Sequence, residues 1–171
     1  EAIWHTEHRA AFGKQLIDQP LMRQVLADLA IEVEAATWLS MRLAAATDRA
    51  VGAAPGADAE HEAALRRIAL PMSKSFVCKR TAFKVAEAME CLGGPGYVEE
   101  TGLPRVYREA PLNSIWEGSG NVNALDLLRA LGKEPASLNA WLAEVGAVRG
   151  NDARFDAAVT GVLDQLTRDP S

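Results

Sequence analysis

Apolar residues recur at the period of an α-helix through most of this 171-residue chain, and this spacing constrains the fold more than any other feature. Leu21, Val25 and Leu29 begin one such run, which continues to about residue 49. The spacing places these side chains on one face of a helix. No segment alternates convincingly between apolar and polar residues, so the sequence predicts an all-α protein. Two long helices, at about 21–49 and 60–92, together with shorter ones, indicate an up-down bundle.

Glycine and proline mark the expected ends of these helices. A first helix over residues 1–11 should stop at Gly13, and the turn-rich sequence 51–59 should separate the two long helices. Pro71 interrupts the second long helix and should kink it or mark a local break. The pair Gly93-Gly94 should end that helix. Shorter helices are expected over residues 103–110 and 121–131 and in two amphipathic segments after residue 133.

Length, charge and cysteine content indicate an ordinary globular chain. The length suits one domain, with room for a small appendage. A net charge of -5 argues against a dedicated nucleic-acid surface. Cys78 and Cys91 are too few for a disulfide framework and favour reduced thiols in a cytoplasmic protein. Neither a membrane span nor a signal peptide is expected from the sequence given. Its start, which lacks methionine and lies inside a predicted helix, favours a piece of a longer protein.

Residues 91–121 are the least helix-like part of the sequence, with two glycine clusters enclosing aromatic and apolar residues. Such a mixture suggests a loop that approaches a ligand closely, although a plain turn is the alternative for each cluster alone. The stretch from Gly118 to Asn121 precedes a helix whose free N–H groups can face an anion. Glu117 follows the apolar pair Ile115 and Trp116; an apolar wall disfavours a charged carboxylate, and a carboxylate tuned in this way can take a proton from a carbon acid. The alternative is a helix-start acid that interacts with the macrodipole.

Other kinds of site find little support in the sequence. His5 and His8 lie three positions apart, but nothing nearby completes a ligand set, so no metal site is predicted. A GxSxG elbow, a Walker sequence and a dinucleotide fingerprint are all absent. Basic residues cluster on the second long helix, where a solvated face or an inter-subunit contact is favoured over a nucleic-acid surface because acidic residues flank the run. The cluster comprises Arg66, Arg67, Lys74, Lys79, Arg80 and Lys84.

Two stretches of the sequence resemble the C-terminal helical domain of the acyl-CoA dehydrogenase family. One is ALPMSKSFVCKRTAFKVAEAMECLGGPGYVEETGLPRVYREAPLNSIWEGSGNV, and the other is HRAAFGKQLIDQPLMRQVLADLA, which contains the R-x-x-F-G segment. Three shorter segments, YVEE, LPRVYREAPLNSIWEGSGN and IDQPLMRQ, resemble the AidB branch of this family, which belongs to the adaptive response to alkylation. The resemblance implies a bundle domain over residues 1–132, which is a fragment of a longer subunit, and an additional helical segment over 133–171 that packs on it.

The family resemblance implies an FAD-dependent reaction and assigns residues to it. Glu117 occupies the position of the base that removes the acyl α-proton, while the hydride passes from the β-carbon to flavin. Trp116 stands where the family often has tyrosine and would line the substrate pocket. The family's homotetramers imply self-association, and its acyl-CoA thioesters are the implied substrates. The residues implied in FAD binding are Arg9, Phe12, Gly93, Gly94, Gly118, Ser119 and Asn121.

Three functions stay open from the sequence. The first is an acyl-CoA dehydrogenase-like oxidoreductase, and the second is an AidB-type flavoprotein that binds and protects DNA and retains weak dehydrogenase chemistry. The third concerns this fragment alone: an inactive bundle that supplies oligomer contacts and half of a flavin site. Departures from the family pattern at Glu90, Pro20 and Trp116 bear on acyl-CoA turnover more than on flavin binding. Residues 133–171 carry four basic and six acidic residues, a net charge of -2, which predicts negligible duplex DNA affinity for the fragment.

Overall fold

A computed structural model of the chain describes residues 1–52 and 58–168. Its architecture is all-α apart from one minimal hairpin, so the predicted fold class is confirmed. The helices are α1 (Ala2–His8), α2 (Pro20–Ala50), α3 (Ala59–Glu90), α4 (Gly94–Tyr97), α5 (Leu103–Glu109), α6 (Gly120–Lys133), α7 (Pro135–Gly146) and α8 (Ala153–Arg168). The strands are β1 (Ala10–Ala11) and β2 (Lys14–Gln15), and single 3-10 turns cover Leu16–Asp18, Glu99–Thr101 and Ala110–Ser114.

The first helix ends earlier than the sequence predicts. It stops at His8 rather than near residue 11, because the chain turns into the antiparallel pair β1 and β2, with Ala10 opposite Gln15. Phe12 and Gly13 form the two-residue connection, and both have positive φ, 55° and 84°. Two positive φ values in a two-residue loop are those of a type I′ turn, whose twist matches that of the paired strands. Strands of two residues are too short to produce a detectable alternation in sequence, so this element was missed.

The two long helices lie within two residues of their predicted limits. Helix α3 is continuous through Pro71, so the local break offered as one alternative is absent. Proline removes one backbone donor and crowds the preceding turn, and the other intrahelical hydrogen bonds carry α3 past it. Of the predicted loop 51–59, residues 53–57 lie outside the described residues. Within the described ranges, no helix combines the length and apolarity that crossing a bilayer requires.

The first of two compact units comprises Glu1–Ala45 and Leu70–Leu128 and contains every predicted site residue. Its apolar centre joins α2, the end of α3 and the start of α5. Burial, with the nearby Glu87 carboxylate, raises the pKa of the Cys91 thiol, so this sulfur stays protonated at neutral pH. The buried cluster consists of Leu26, Cys91, Leu92 and Leu103, with Ile17, Met22, Val25, Leu29 and Met89 packed against it.

The second compact unit comprises the described parts of Ala46–Ala69 and Arg129–Ser171. Within it, the Arg67 guanidinium donates to the Glu134 carboxylate at 3.0 Å and connects α3 to the residue that precedes α7. Buried residues of this unit are Ala46, Glu62, Leu65, Ile68, Ala130, Ser137, Ala140 and Val159. The domain boundary at residue 132 that the sequence suggested stays a prediction.

Candidate functional site

The predicted base, Glu117, lies in an uncommon backbone conformation just before α6. Its φ is 53°, and the next residue, Gly118, has φ of 101°. Steric repulsion disfavours a positive φ for any residue with a side chain, by roughly 1–2 kcal/mol. Gly118 avoids that repulsion, whereas Glu117 does not. Strained backbone of this kind concentrates at functional sites, so Glu117 stays the candidate base predicted from the sequence.

The apolar pair before Glu117 does not enclose its carboxyl group. Ile115 is 64% exposed and Trp116 is 53% exposed, and the Glu117 side chain is exposed too. An apolar wall around the carboxylate would therefore need a surface that the described residues of this chain do not supply. Both side chains are available to contact such a surface.

A lysine of α3 holds the backbone on both sides of Glu117. The Nζ of Lys74 donates to the Trp116 carbonyl at 2.6 Å and to the Gly118 carbonyl at 2.8 Å. The Asn123 amide also donates to the Gly118 carbonyl, at 2.8 Å, from within α6. The sequence analysis assigned Lys74 to a general basic cluster and missed this contact, because the residues it joins are 42 and 44 positions apart. A local pattern could not have found it.

The start of α6 packs closely under α3. A Cβ built on Gly120 would lie 2.6 Å from the Lys79 Cε, so no larger residue fits there without moving that side chain. The Ser119 carbonyl accepts the N–H of Asn123 at 2.9 Å, which places Ser119 at the N-cap position. The N–H groups of the next residues, including that of exposed Asn121, are the ones a helix start leaves free. They form a donor surface suited to an anion.

The hairpin presents the predicted cofactor residues Arg9 and Phe12 to solvent. Phe12 is 94% exposed and sits at a positive φ, where a type I′ turn favours asparagine, aspartate or glycine. The Leu16 N–H donates to the Arg9 carbonyl at 2.8 Å, and the Gln19 amide donates to the Ala11 carbonyl at 3.1 Å, so the turn is well fixed. A phenyl ring with no packing and an unfavourable backbone angle is unexplained by folding alone.

The glycines near the end of α3 have two separate roles. A Cβ on Gly96 would overlap the Met89 carbonyl oxygen, so this glycine allows α4 to pack on α3. Gly93 has φ of 65°, and nothing lies within 4 Å of a Cβ on Gly93 or Gly94. The close approach inferred from the sequence is therefore, at Gly96, an approach to the chain's own backbone rather than to a ligand. Gly93 and Gly94, by contrast, border open space. A pocket of about 440 Å³ opens there, lined by Ala86, Met89, Glu90, Gly93, Gly96, Tyr97 and Tyr107.

The predicted residues fall into three separate segments: the hairpin, the loop after α3 and the turn before α6. Within the part of the chain that the structure describes, the recorded hydrogen bonds and ion pairs join no predicted site residue of one segment to one of another. A larger apolar groove of about 620 Å³ between α1, α2, α3 and α5 contains none of the predicted site residues. Nothing in the structure shows what covers that groove.

The sequence profile of the acyl-CoA dehydrogenase C-terminal domain matches residues 1–132, and the chain belongs to the acyl-CoA dehydrogenase family. AidB of Escherichia coli (strain K12) is 48% identical over 167 residues, which are 98% of this chain and 30% of that protein. Acyl-CoA dehydrogenase family member 11 of Caenorhabditis elegans is 32% identical over 96% of this chain and 27% of its own length. The chain thus spans less than a third of each of these relatives.

Solved structures agree with the sequence relatives. Caenorhabditis elegans ACDH-11, crystallised in complex with C11-CoA, matches with a TM-score of 0.83 at 30% identity, over 98% of this chain and 29% of that one. Butyryl-CoA dehydrogenase from Megasphaera elsdenii matches with a TM-score of 0.63 at 25% identity, over 77% of this chain and 31% of that one. The resemblance noted in the sequence to the family and its AidB branch is confirmed.

Proposed function

We propose that the chain is the C-terminal part of an FAD-dependent oxidoreductase that removes the α-proton of an acyl-CoA thioester with Glu117. The backbone carries this proposal. Among the described residues, the two non-glycine positions with positive φ are Phe12 and Glu117. These are an implied cofactor contact and the implied base. Strain at both positions is costly to the fold, and a shared functional site accounts for it.

The residues of the three segments fit a flavin dinucleotide. Arg9 supplies a cation and Phe12 an exposed ring, and the start of α6 supplies free N–H groups near Ser119 and Asn121. Gly93 and Gly94 border open space that can admit the nucleotide end. Glu90 fits less well, because a carboxylate cannot donate hydrogen bonds to the cofactor. No hydrogen bond or ion pair within the described residues joins the site residues of one segment to those of another, which supports a site completed by other domains or a second subunit. The isolated fragment should therefore be inactive.

The exposure and fixed backbone of Glu117 support the role of general base. Its carboxylate is exposed on a fixed turn and makes no recorded hydrogen bond or ion pair within the described residues, so its lone pairs are available to a proton. FAD held by these residues would supply the acceptor for the hydride of the β-carbon. Trp116 and Ile115 lie beside the base and would exclude water once covered by substrate. The ligand named for the related ACDH-11 structure, C11-CoA, makes a medium-length thioester the first probe.

The test is flavin bleaching by C11-CoA in the complete subunit. Glu117→Gln should abolish bleaching while FAD stays bound, because the amide cannot take a proton. Glu100→Gln, which changes an exposed acid of the same unit, should bleach at the parental rate. Unchanged bleaching in Glu117→Gln would remove Glu117 from the role of base.

The alternative function, DNA binding of the AidB type, draws little support from the basic cluster of α3, because four of its six residues are held by partners within the chain. Lys84 and Arg80 pair with Glu32, Arg67 pairs with Glu134, and Lys74 is committed to backbone carbonyls. Charges paired in this way attract phosphate weakly. A mobility-shift titration of the chain with duplex DNA should show no tight, salt-sensitive binding.

Self-association is proposed on the exposed apolar face of α6. The helical period places Val122, Leu125 and Leu128 on one side of the helix, as expected of a face that packs against another surface. These side chains are nevertheless 55%, 62% and 55% exposed in the chain alone. An apolar stripe of this kind indicates an interface. Light scattering of the complete subunit should give the mass of an oligomer, with a tetramer as the expected state. The cytoplasmic location expected from the sequence stays a prediction.

A further inference from the structure

We propose that Lys74 is a positioning residue, which sets the direction of the Glu117 carboxylate by fixing the backbone around it. This proposal rests on the proposed function of Glu117 as the base. Lys74 is not among the site residues implied by the family resemblance, which lie in the hairpin, the loop after α3 and the turn before α6. Its role is inferred from two hydrogen bonds of its ammonium group, at 2.6 and 2.8 Å, to the carbonyls of Trp116 and Gly118.

The two bonds enclose the strained part of the chain. Peptide units are planar, so the Trp116 carbonyl fixes the peptide plane that enters Glu117, and the Gly118 carbonyl fixes the plane that leaves Gly118. The backbone dihedrals of Glu117 and Gly118 lie between these two planes, and both residues have positive φ. Glu117 would otherwise relax toward a negative φ, which would turn its side chain in another direction. One ammonium group therefore stabilises the conformation that aims the base.

The contact is suited to this task by its chemistry. An ammonium group has three donors and can serve two carbonyls at once. Hydrogen bonds from a charged donor are about twice as strong as neutral ones. Lys74 is half-buried at the Gly118 contact, which limits competition from water. The lysine also sits within the long helix α3, so its donor is presented from a rigid element.

Other recorded contacts do not duplicate that of Lys74. Asn123 donates to the carbonyls of Gly118 and Ser119, both on the α6 side of Glu117. Within the described residues, Lys74 is the donor recorded for the Trp116 carbonyl. The side chain of Glu117 has no recorded hydrogen bond of its own to hold it. Its direction is therefore set by the backbone, and the backbone on its N-terminal side is held by Lys74.

The experiment compares Lys74→Met with Lys79→Met in the complete subunit. Both changes keep an unbranched side chain of similar length and remove one charge from the same helix. Lys79 touches Gly120 through its aliphatic stem and is not recorded as a donor to the turn, so it is the matched control. Two experiments are run: hydrogen exchange of peptides that cover residues 115–123 without thioester, and a C11-CoA titration. The titration gives the rate of flavin bleaching and the half-saturating thioester concentration, and the FAD content is measured on the same samples.

Lys74→Met should speed exchange of the hydrogen-bonded amides beside the turn about tenfold or more, because the turn loses its fixed carbonyls. These are the Ile115 and Trp116 amides, which bond the Leu112 carbonyl, and the Asn123 amide, which bonds the Ser119 carbonyl. It should slow bleaching at saturating C11-CoA about tenfold or more, because a misdirected base is less effective. FAD content and the half-saturating thioester concentration should stay within about twofold of the parent, a split between kcat and KM that general unfolding would not give. Lys79→Met should leave all four quantities within about twofold.

Each contrary outcome has a distinct meaning. Unchanged exchange in Lys74→Met overturns the positioning of the turn, whatever the kinetics show. Faster exchange with unchanged bleaching overturns the link between Lys74 and the base. A parent that does not bleach removes the proposed function, while the exchange comparison still decides whether Lys74 holds the turn. If Lys74→Met does not purify folded, Lys74→Leu, which also lacks a donor, is judged by the same thresholds.

Discussion

Replacing Glu117 with glycine should stabilise the chain while removing the proposed activity. Glu117 has φ of 53°, a conformation that costs a residue with a Cβ about 1–2 kcal/mol. Glycine removes this cost, but it loses roughly 0.5–1 kcal/mol more backbone entropy on folding. The exposed Glu117 side chain contributes no packing and no recorded hydrogen bond to set against the gain. The net expectation is a free energy of unfolding higher by about 0.5–1 kcal/mol.

Thermal unfolding of the 171-residue chain, followed by far-ultraviolet circular dichroism, measures this effect. For a chain of this size, 1 kcal/mol corresponds to about 2–4 °C, so Glu117→Gly should raise Tm by about 1–4 °C. Glu117→Asn loses the same charge and tolerates a left-handed backbone, so it should fall between glycine and the parent. Glu117→Val should lower Tm, because a β-branched residue is the least compatible with a positive φ. If glycine lowered Tm, or valine matched it, strain at Glu117 would be refuted.

Three further predictions concern the hairpin, the glycines and an ion pair. Phe12→Asn should raise the free energy of unfolding of the chain by about 0.5–1 kcal/mol in urea, because asparagine suits the type I′ turn. It should also weaken FAD binding in the complete subunit, because asparagine lacks the ring, and unchanged FAD affinity would exclude Phe12 from the site. Gly96→Ala should lower the free energy of unfolding by about 1–3 kcal/mol, because the new Cβ overlaps a backbone carbonyl. Gly94→Ala should change the free energy of unfolding by less than about 0.5 kcal/mol, because nothing lies near its Cβ. Equal effects of the two changes would contradict the packing of α4 on α3 at Gly96. Hydrogen bonds from Arg108 hold the pKa of the Glu99 carboxyl below its usual value. The pair therefore stabilises the fold at pH values above the ordinary glutamate pKa of about 4.3 and loses its contribution as the pH falls further. Arg108→Gln should lose less stability than the parent between about pH 5 and pH 3, and an equal loss would show that the pair is unimportant.

Helix positions and the identity of the candidate residues could be predicted from the sequence, whereas the geometry of the site could not. The period of Leu21, Val25 and Leu29 predicts α2 because helical spacing is a local property. The glycine clusters indicated close approach, but the sequence could not separate Gly96, which packs against α3, from Gly93, which borders open space. Nor could it show that Phe12 stands exposed in a hairpin, because a pairing of two residues per strand leaves no pattern.

The sequence by itself determined the all-α class, the ends of both long helices to within two residues, the family and the position of the candidate base. Each of these depends on residues that lie close together along the chain. Only the tertiary structure decided how Glu117 is held. Its left-handed backbone and the Lys74 ammonium that bridges the carbonyls on either side depend on a contact across more than 40 positions. Local preferences are set by neighbouring residues, whereas such a contact exists only once α3 and the turn before α6 have packed together.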